Sequence, residues 1–185
     1  HNFGLFEYDN MAEFEGSNNS GSFLPAFVNY VEGIYVGYRF YETAAAEGLI
    51  DYDSAVVYPF GYGLSYTSFT QTMGDITEAD GTLSVDVTVT NTGTVAGKDV
   101  VQVYYNPPYT DGGIEKSTAN LAAFAKTSEL APGASETLTL TFRVEDMASY
   151  DYTGAGCYVL EQGDYVISIN KDSHNIIDSR VYTVA

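Results

Sequence analysis

Leu83-Ser84-Val85-Asp86-Val87-Thr88-Val89-Thr90, followed at once by Asn91-Thr92-Gly93, decides the fold class of this chain. Apolar side chains at every second position share one face of a pleated strand, and Ser84, Asp86, Thr88 and Thr90 share the other. The segment therefore reads as a strand with one buried and one wet face before a turn. The same period returns downstream. Leu138, Leu140, Phe142 and Val144 alternate with Thr137, Thr139, Thr141 and Arg143, and Tyr165, Ile167 and Ile169 alternate with Val166, Ser168 and Asn170. Val101, Val103 and Tyr105 lie on one side of a strand predicted from Lys98 to Tyr105. Leu121 to Thr127 adds a weaker strand and Ile176 to Val184 a final one. A polar loop from Asn106 to Thr118 and a turn at Leu130-Ala131-Pro132-Gly133 separate them. Strands of this length at short, regular spacing predict an all-β chain folded as a two-sheet antiparallel sandwich. Leu160, Gly163 and Tyr165 have the spacing of a tyrosine corner, in which a tyrosine opening a late strand bonds back to upstream backbone.

The pattern becomes plainly β from about Tyr66, and what precedes it is different. Glu32-Gly33-Ile34-Tyr35-Val36-Gly37-Tyr38-Arg39-Phe40-Tyr41-Glu42-Thr43 is answered by Tyr58-Pro59-Phe60-Gly61-Tyr62-Gly63-Leu64-Ser65-Tyr66-Thr67. Ile34, Val36, Tyr38 and Phe40 alternate with Tyr35, Gly37, Arg39 and Tyr41, which predicts a strand covered on both faces, with Gly37 at a bulge or close approach. Thr43-Ala44-Ala45-Ala46-Glu47-Gly48 is expected to add one or two helical turns ended by Gly48, and Asp51-Tyr52-Asp53-Ser54 a turn. Pro59, Gly61 and Gly63 shape an aromatic-lined connector. Residues 1–27 lack periodicity and read as a polar connector, with Asn18-Asn19-Ser20 meeting the glycosylation pattern.

Composition bounds the function. The 185 residues carry 25 Asp and Glu against 7 Lys and Arg, a formal charge of -18, so the field repels nucleic acid and anionic membrane surfaces. A neutral ligand such as a sugar is compatible with that charge. Cys157 is the one cysteine, which forbids an internal disulfide and leaves the compartment open. Neither zinc-ligand spacing nor a calcium loop is present, and no metal or cofactor is expected. No apolar run reaches membrane-spanning length, and the opening residues do not read as a signal peptide. With the first Met at position 11, an excised piece of a longer product is the expectation. Seventeen Tyr and ten Phe invite a carbohydrate reading, although most of the tyrosines suit packing in strands.

Chemistry has few footholds. Glycoside hydrolysis needs two carboxyl groups, about 5–5.5 Å apart for retention. Glu32 and Glu42, near Arg39, are the best local candidates for a carboxylate role. The plainer reading is that they tie down a junction by an ion pair or hydrogen bonds. His174 lies in a polar turn, His1 at the first position, and no Gly-x-Ser-x-Gly elbow, Walker or dinucleotide glycine pattern occurs. Cys157, in Gly154-Ala155-Gly156-Cys157-Tyr158, reads as a loop or core thiol rather than a nucleophile.

The two paired stretches, Glu32–Thr43 and Tyr58–Thr67, resemble the junction of glycoside hydrolase family 3, the β-glucosidase and β-xylosidase family. The resemblance continues through Val87–Gly93, Ala96–Tyr104, Leu130–Gly133 and Leu160–Tyr165, and so covers nearly the whole chain. It implies a fibronectin type III-like, immunoglobulin-like antiparallel β-sandwich over 67–185, with 1–66 as the tail of an α/β sandwich domain and an irregular aromatic connector. The implied partners are the barrel and α/β sandwich domains of a parent enzyme, and β-linked sugars through that parent. In this family the nucleophilic Asp stands in the barrel and the acid/base Glu comes, in many members, from a loop of the α/β sandwich. Neither motif occurs here, so no catalytic residue is carried over, the substrate-binding residues are left unknown, and no metal ligand is expected. The implied role is structural, bracing the catalytic domains. The rival reading is a free-standing carbohydrate-binding or adhesive β-sandwich, which would show several exposed coplanar rings along one face.

Overall fold

The computed structural model describes residues 33–185. The polar connector, Asn18-Asn19-Ser20 and Glu32 lie outside the described residues. Two facing sheets make a sandwich. One has the order β1-β2-β5, from β1 (Phe69–Ala79), β2 (Thr82–Asn91) and β5 (Ser135–Arg143). The other has the order β4-β3-β8-β9, from β3 (Val100–Asn106), β4 (Asn120–Lys126), β8 (Gly163–Asn170) and β9 (Ile176–Val184). Every pairing is antiparallel. A two-stranded hairpin, β6 (Ser149–Asp151) with β7 (Cys157–Val159), stands apart from both sheets.

The alternation in β2 has the expected result. Leu83, Val85, Val87 and Val89 are wholly buried, as are Val101 and Val103 of β3 and Ile167 and Ile169 of β8. They form one core with Met73, Leu140, Phe142 and Met147. Burying one such side chain contributes roughly 1.5–3 kcal/mol, so this core fixes the sandwich. The ring of Tyr165 is buried in the same cluster and its hydroxyl donates to the Glu161 carbonyl at 3.1 Å. That is the tyrosine corner the spacing predicts. The alternation over β5 stops one residue early: Val144 opens a 3₁₀ turn, Val144–Met147, that sends Met147 into the core.

β3 and β8 are buried on their second face as well. Gln102, Tyr104, Ser168 and Asn170 are all nearly sealed from water, because the connector lies over that face. Here the strand expected from Ile34 to Tyr41 is corrected. The segment turns at Gly37 and enters helix α1 (Tyr38–Ala46). Aromatic or apolar side chains at almost every position make a period of two and a period of 3.6 indistinguishable, and two features then decide. Gly37 takes φ 59°, ψ -132°, a helix-entry conformation that a side chain would strain, and Ala44, Ala45 and Ala46 carry the helix on. Gly48, at φ 69°, follows the helix as expected. The turn expected at Asp51–Ser54 is a single helical turn, α2 (Tyr52–Ala55).

Candidate functional site

The sequence picks out Glu42, and the structure places it at the centre of the junction between connector and sandwich. Its position on α1 turns it toward the loop between β8 and β9, and it is only 7% exposed. Oε1 accepts hydrogen bonds from the Tyr52 hydroxyl at 2.6 Å and the Ser173 hydroxyl at 2.7 Å, and Oε2 lies 2.8 Å from His174 Nδ1. The Tyr52 ring stacks flat on the His174 ring, with centroids 3.6 Å apart and planes 7° apart. Burial, and then the hydrogen bond to Glu42, pushes the Tyr52 phenol far above its ordinary range, so it stays a donor.

A cluster of Ser, His and Glu invites comparison with a hydrolytic triad. The geometry answers no. A triad passes the serine proton to a histidine that the acid orients, whereas here Ser173 and His174 both turn to the same carboxylate. Asp172 is spent on the backbone N–H groups of His174 and Asn175 and on the Asn175 amide. The arrangement is a pin, and neighbouring contacts repeat its logic. Gln102 Nε2 donates to the carbonyls of Gly61 at 3.2 Å and Lys171 at 3.0 Å, while Tyr104 donates to Gln102 Oε1. Ser173 N–H donates to the Phe60 carbonyl at 2.8 Å, Leu121 N–H to the Tyr38 hydroxyl at 3.1 Å, and Thr118 N–H to the Thr43 hydroxyl at 3.1 Å. Tyr38 stacks on Phe60 at 4.6 Å and meets Tyr104 edge-on at 6.1 Å. Helix α1 and the Phe60-Gly61 segment of the connector are thus tied to the outer face of one sheet by bonds partly sheltered from water. Beside the pin a cavity of about 450 Å³ opens between α1, α2 and β8.

Of the residues the sequence groups together, Glu32 lies outside the described residues and Arg39 does not pair with Glu42. Arg39 faces a different cleft, with Tyr150 and Tyr158. The sequence offers no signal for Ser173 and His174, which reach Glu42 from 131 and 132 residues away. Cys157 is exposed, a loop thiol at the start of β7. Among the described residues no three His, Cys, Asp or Glu side chains converge as a metal site, and no helix is long and apolar enough to cross a membrane.

The far side of the connector is another matter. Val57, Tyr58, Leu64 and Tyr66 are 84%, 68%, 89% and 102% exposed, with Tyr62 and Phe60 beside them nearly half exposed. Large apolar side chains displayed in this number along one segment are unusual for a surface that faces only water.

Comparison with known proteins matches residues 99–173 to the fibronectin type III-like domain. A β-glucosidase A of Butyrivibrio fibrisolvens is 40% identical over 157 residues, covering 75% of this chain and 18% of its own length. A β-glucosidase of Rhizobium radiobacter is 42% identical over 146 residues, covering 77% of this chain and 16% of its own. Among solved structures, β-glucosidase 3B of Thermotoga neapolitana in complex with glucose superposes with TM-score 0.70 at 40% identity, over 83% of this chain and 20% of that one. A GH3 β-glucosidase of Bifidobacterium adolescentis gives TM-score 0.70 at 32% identity, over 83% and 21%. The chain thus spans about a fifth of the length of the relatives it matches.

Proposed function

We infer from one premise, that this chain belongs to glycoside hydrolase family 3 as a fragment holding the fibronectin type III-like domain and the junction before it, that its role is to brace the catalytic domains of a β-glucosidase-like parent. The division of labour we propose puts the tail of an α/β sandwich domain and the connector in residues 1–66, and the bracing domain in 67–185. One observation carries the reading. The connector is pinned by buried polar bonds on its sandwich side and bare on its other side, where Val57, Tyr58, Leu64 and Tyr66 stand in water. The occupant of the bare face is the parent's own barrel and α/β sandwich, since relatives that share this segment are about five times as long. Through that parent the substrates are β-linked sugars, and the chain itself contributes no nucleophile or acid.

Kinetics with purified protein tests this. The chain alone is expected to give no turnover of aryl β-glucosides or β-xylosides, because Glu42 is engaged by Tyr52, Ser173 and His174 and the family resemblance puts the nucleophile in the barrel. Turnover that disappears in Glu42→Gln would overturn the reading. In the intact parent, Leu64→Asp together with Tyr66→Asp is expected to lower the thermal midpoint of the whole enzyme, since it places charge in the proposed contact.

A further inference from the structure

The cavity of about 450 Å³ between α1, α2 and β8 opens to solvent beside the pin, and its walls are of two kinds. Ala45, Ala46, Ile50, Val166 and Ile176 make an apolar sleeve, whereas Glu42 and the exposed Asp51 carry charge. No Lys or Arg lines it, and its one imidazole, His174, is held by Glu42. The imbalance reaches further along the chain, since no Lys or Arg occurs between Arg39 and Lys98 while Asp53 stands exposed on α2. Asp51 accepts a hydrogen bond from the Ser54 hydroxyl at 2.9 Å. Among the described residues, neither Asp51 nor Asp53 pairs with a cation.

Helix α2 runs directly into Val57 and Tyr58, so these carboxylates stand at the margin of the face that a neighbouring domain is proposed to cover. A carboxylate taken out of water without a counter-charge is strongly unfavourable. A partner lying over Asp51 therefore has to bring a cation to it. An anion would meet Asp51 and Glu42 within a chain of net charge -18. An uncharged side chain would fill the sleeve and leave Asp51 unanswered. A basic side chain meets both demands, because its methylene stem suits the apolar walls while its charged end stays in the mouth beside Asp51. Arginine does this better than lysine, since its planar fork can take both oxygens of one carboxylate and is more weakly hydrated.

We propose that this cavity is a socket for a basic side chain, an arginine by preference, carried by the domain of the parent that covers the connector. The identity of the carrier rests on the bracing reading; the polarity of its surface is new. That surface is apolar where it meets Val57, Tyr58, Leu64 and Tyr66, and basic where it meets α2. A second copy of this chain fits poorly, with 25 Asp and Glu against 7 Lys and Arg. The two readings fail separately. Turnover by the chain alone would remove the bracing role and leave the socket, whereas loss of the cation preference would remove the socket and leave the bracing.

Titration of the ¹⁵N-labelled 185-residue chain at low salt decides it, with Nα-acetyl-arginine amide as the probe and its uncharged isostere Nα-acetyl-citrulline amide as the control. Saturable shifts of the Ala45, Ala46, Ile50 and Asp51 amides are expected with the arginine probe, which should bind about three- to fivefold more tightly than the citrulline one. The preference should fade toward about 1 M sodium chloride, as screening requires. Asp51→Asn keeps a residue that caps a helix as well as aspartate does, removes the charge, and is expected to bring the arginine probe down to the affinity of the control. Ala46→Leu, at an exposed position, narrows the sleeve and should weaken both probes. Absence of saturable shifts with the arginine probe into the tens of millimolar, equal binding of the two probes, or a preference that survives Asp51→Asn would each overturn the proposal. So would shifts of the same amides with protein concentration alone, which would make a second copy the occupant.

Discussion

Glu42 holds the Tyr52 and Ser173 hydroxyls and Nδ1 of His174 on one buried carboxylate. Changing it to Gln preserves shape but replaces one acceptor oxygen with an N–H₂ group that faces donors. Since a buried polar group left unsatisfied costs about 1–3 kcal/mol, Glu42→Gln is expected to loosen the connector by that amount. Hydrogen exchange checks it: amides of α1 and α2 should lose protection while those of β2 and β8 keep theirs, and uniform loss would show that the pin serves the whole sandwich. Tyr165 is the opposite case. Tyr165→Phe removes a single hydrogen bond to Glu161 and leaves the packed ring, so the denaturation midpoint should fall by the equivalent of about 0.5–1.5 kcal/mol. An unchanged midpoint would mean that the ring alone matters.

Between elements, close approach decides what the sequence can reveal. Gly61 sits at φ 83°, and a Cβ there would lie 2.2 Å from Oε1 of the Gln102 amide, whose Nε2 ties the connector to β3. Gly61→Ala must both adopt a left-handed backbone, about 1–2 kcal/mol, and displace Gln102, so a larger loss than for Glu42→Gln is expected in the same exchange experiment. The sequence marks Gly61 as shaping the connector but cannot say against what. The sandwich strands were legible because one dry and one wet face impose a period of two, as in Leu83 to Thr90. Helix α1 reads equally well as a strand, because Tyr38, Phe40 and Tyr41 satisfy either period. The pin joining Glu42 to Ser173 and His174 was illegible because it depends on the path of the fold. The β6–β7 hairpin was missed because its signal is a side chain rather than a pattern. Asp151 accepts N–H bonds from Ala155 at 2.7 Å, Gly154 at 2.8 Å and Thr153 at 3.1 Å. These bonds, led by Ala155 and Gly154, hold its carboxyl below the ordinary aspartate value of 3.8. With the folded value depressed, the stabilisation is present above the ordinary value and is lost as pH falls through the folded one. The Gly154 and Ala155 amide shifts should therefore be flat near neutrality and titrate below 3.8; a transition above that value would contradict the assignment.

At the scale of the molecule, two surface properties oppose each other. The net charge of -18 makes any two copies repel, whereas Val57, Tyr58, Leu64 and Tyr66 offer apolar area that gains by being covered. Each such side chain is worth roughly 1.5–3 kcal/mol when fully buried, so a handful suffices for weak association once repulsion is reduced. Salt separates the two terms, because it screens charge while leaving apolar burial intact or strengthening it. The screening length falls from about 10 Å at 0.1 M to about 3 Å at 1 M. If the connector face is a contact surface waiting for its partner domains, the mass measured by light scattering should rise with sodium chloride across that range. The rise should be abolished by Leu64→Ser with Tyr66→Ser, two exposed changes that leave the pinned side untouched. A mass that stays monomeric at every salt concentration, or a rise that survives the double substitution, would show that the bare connector face is not a contact surface.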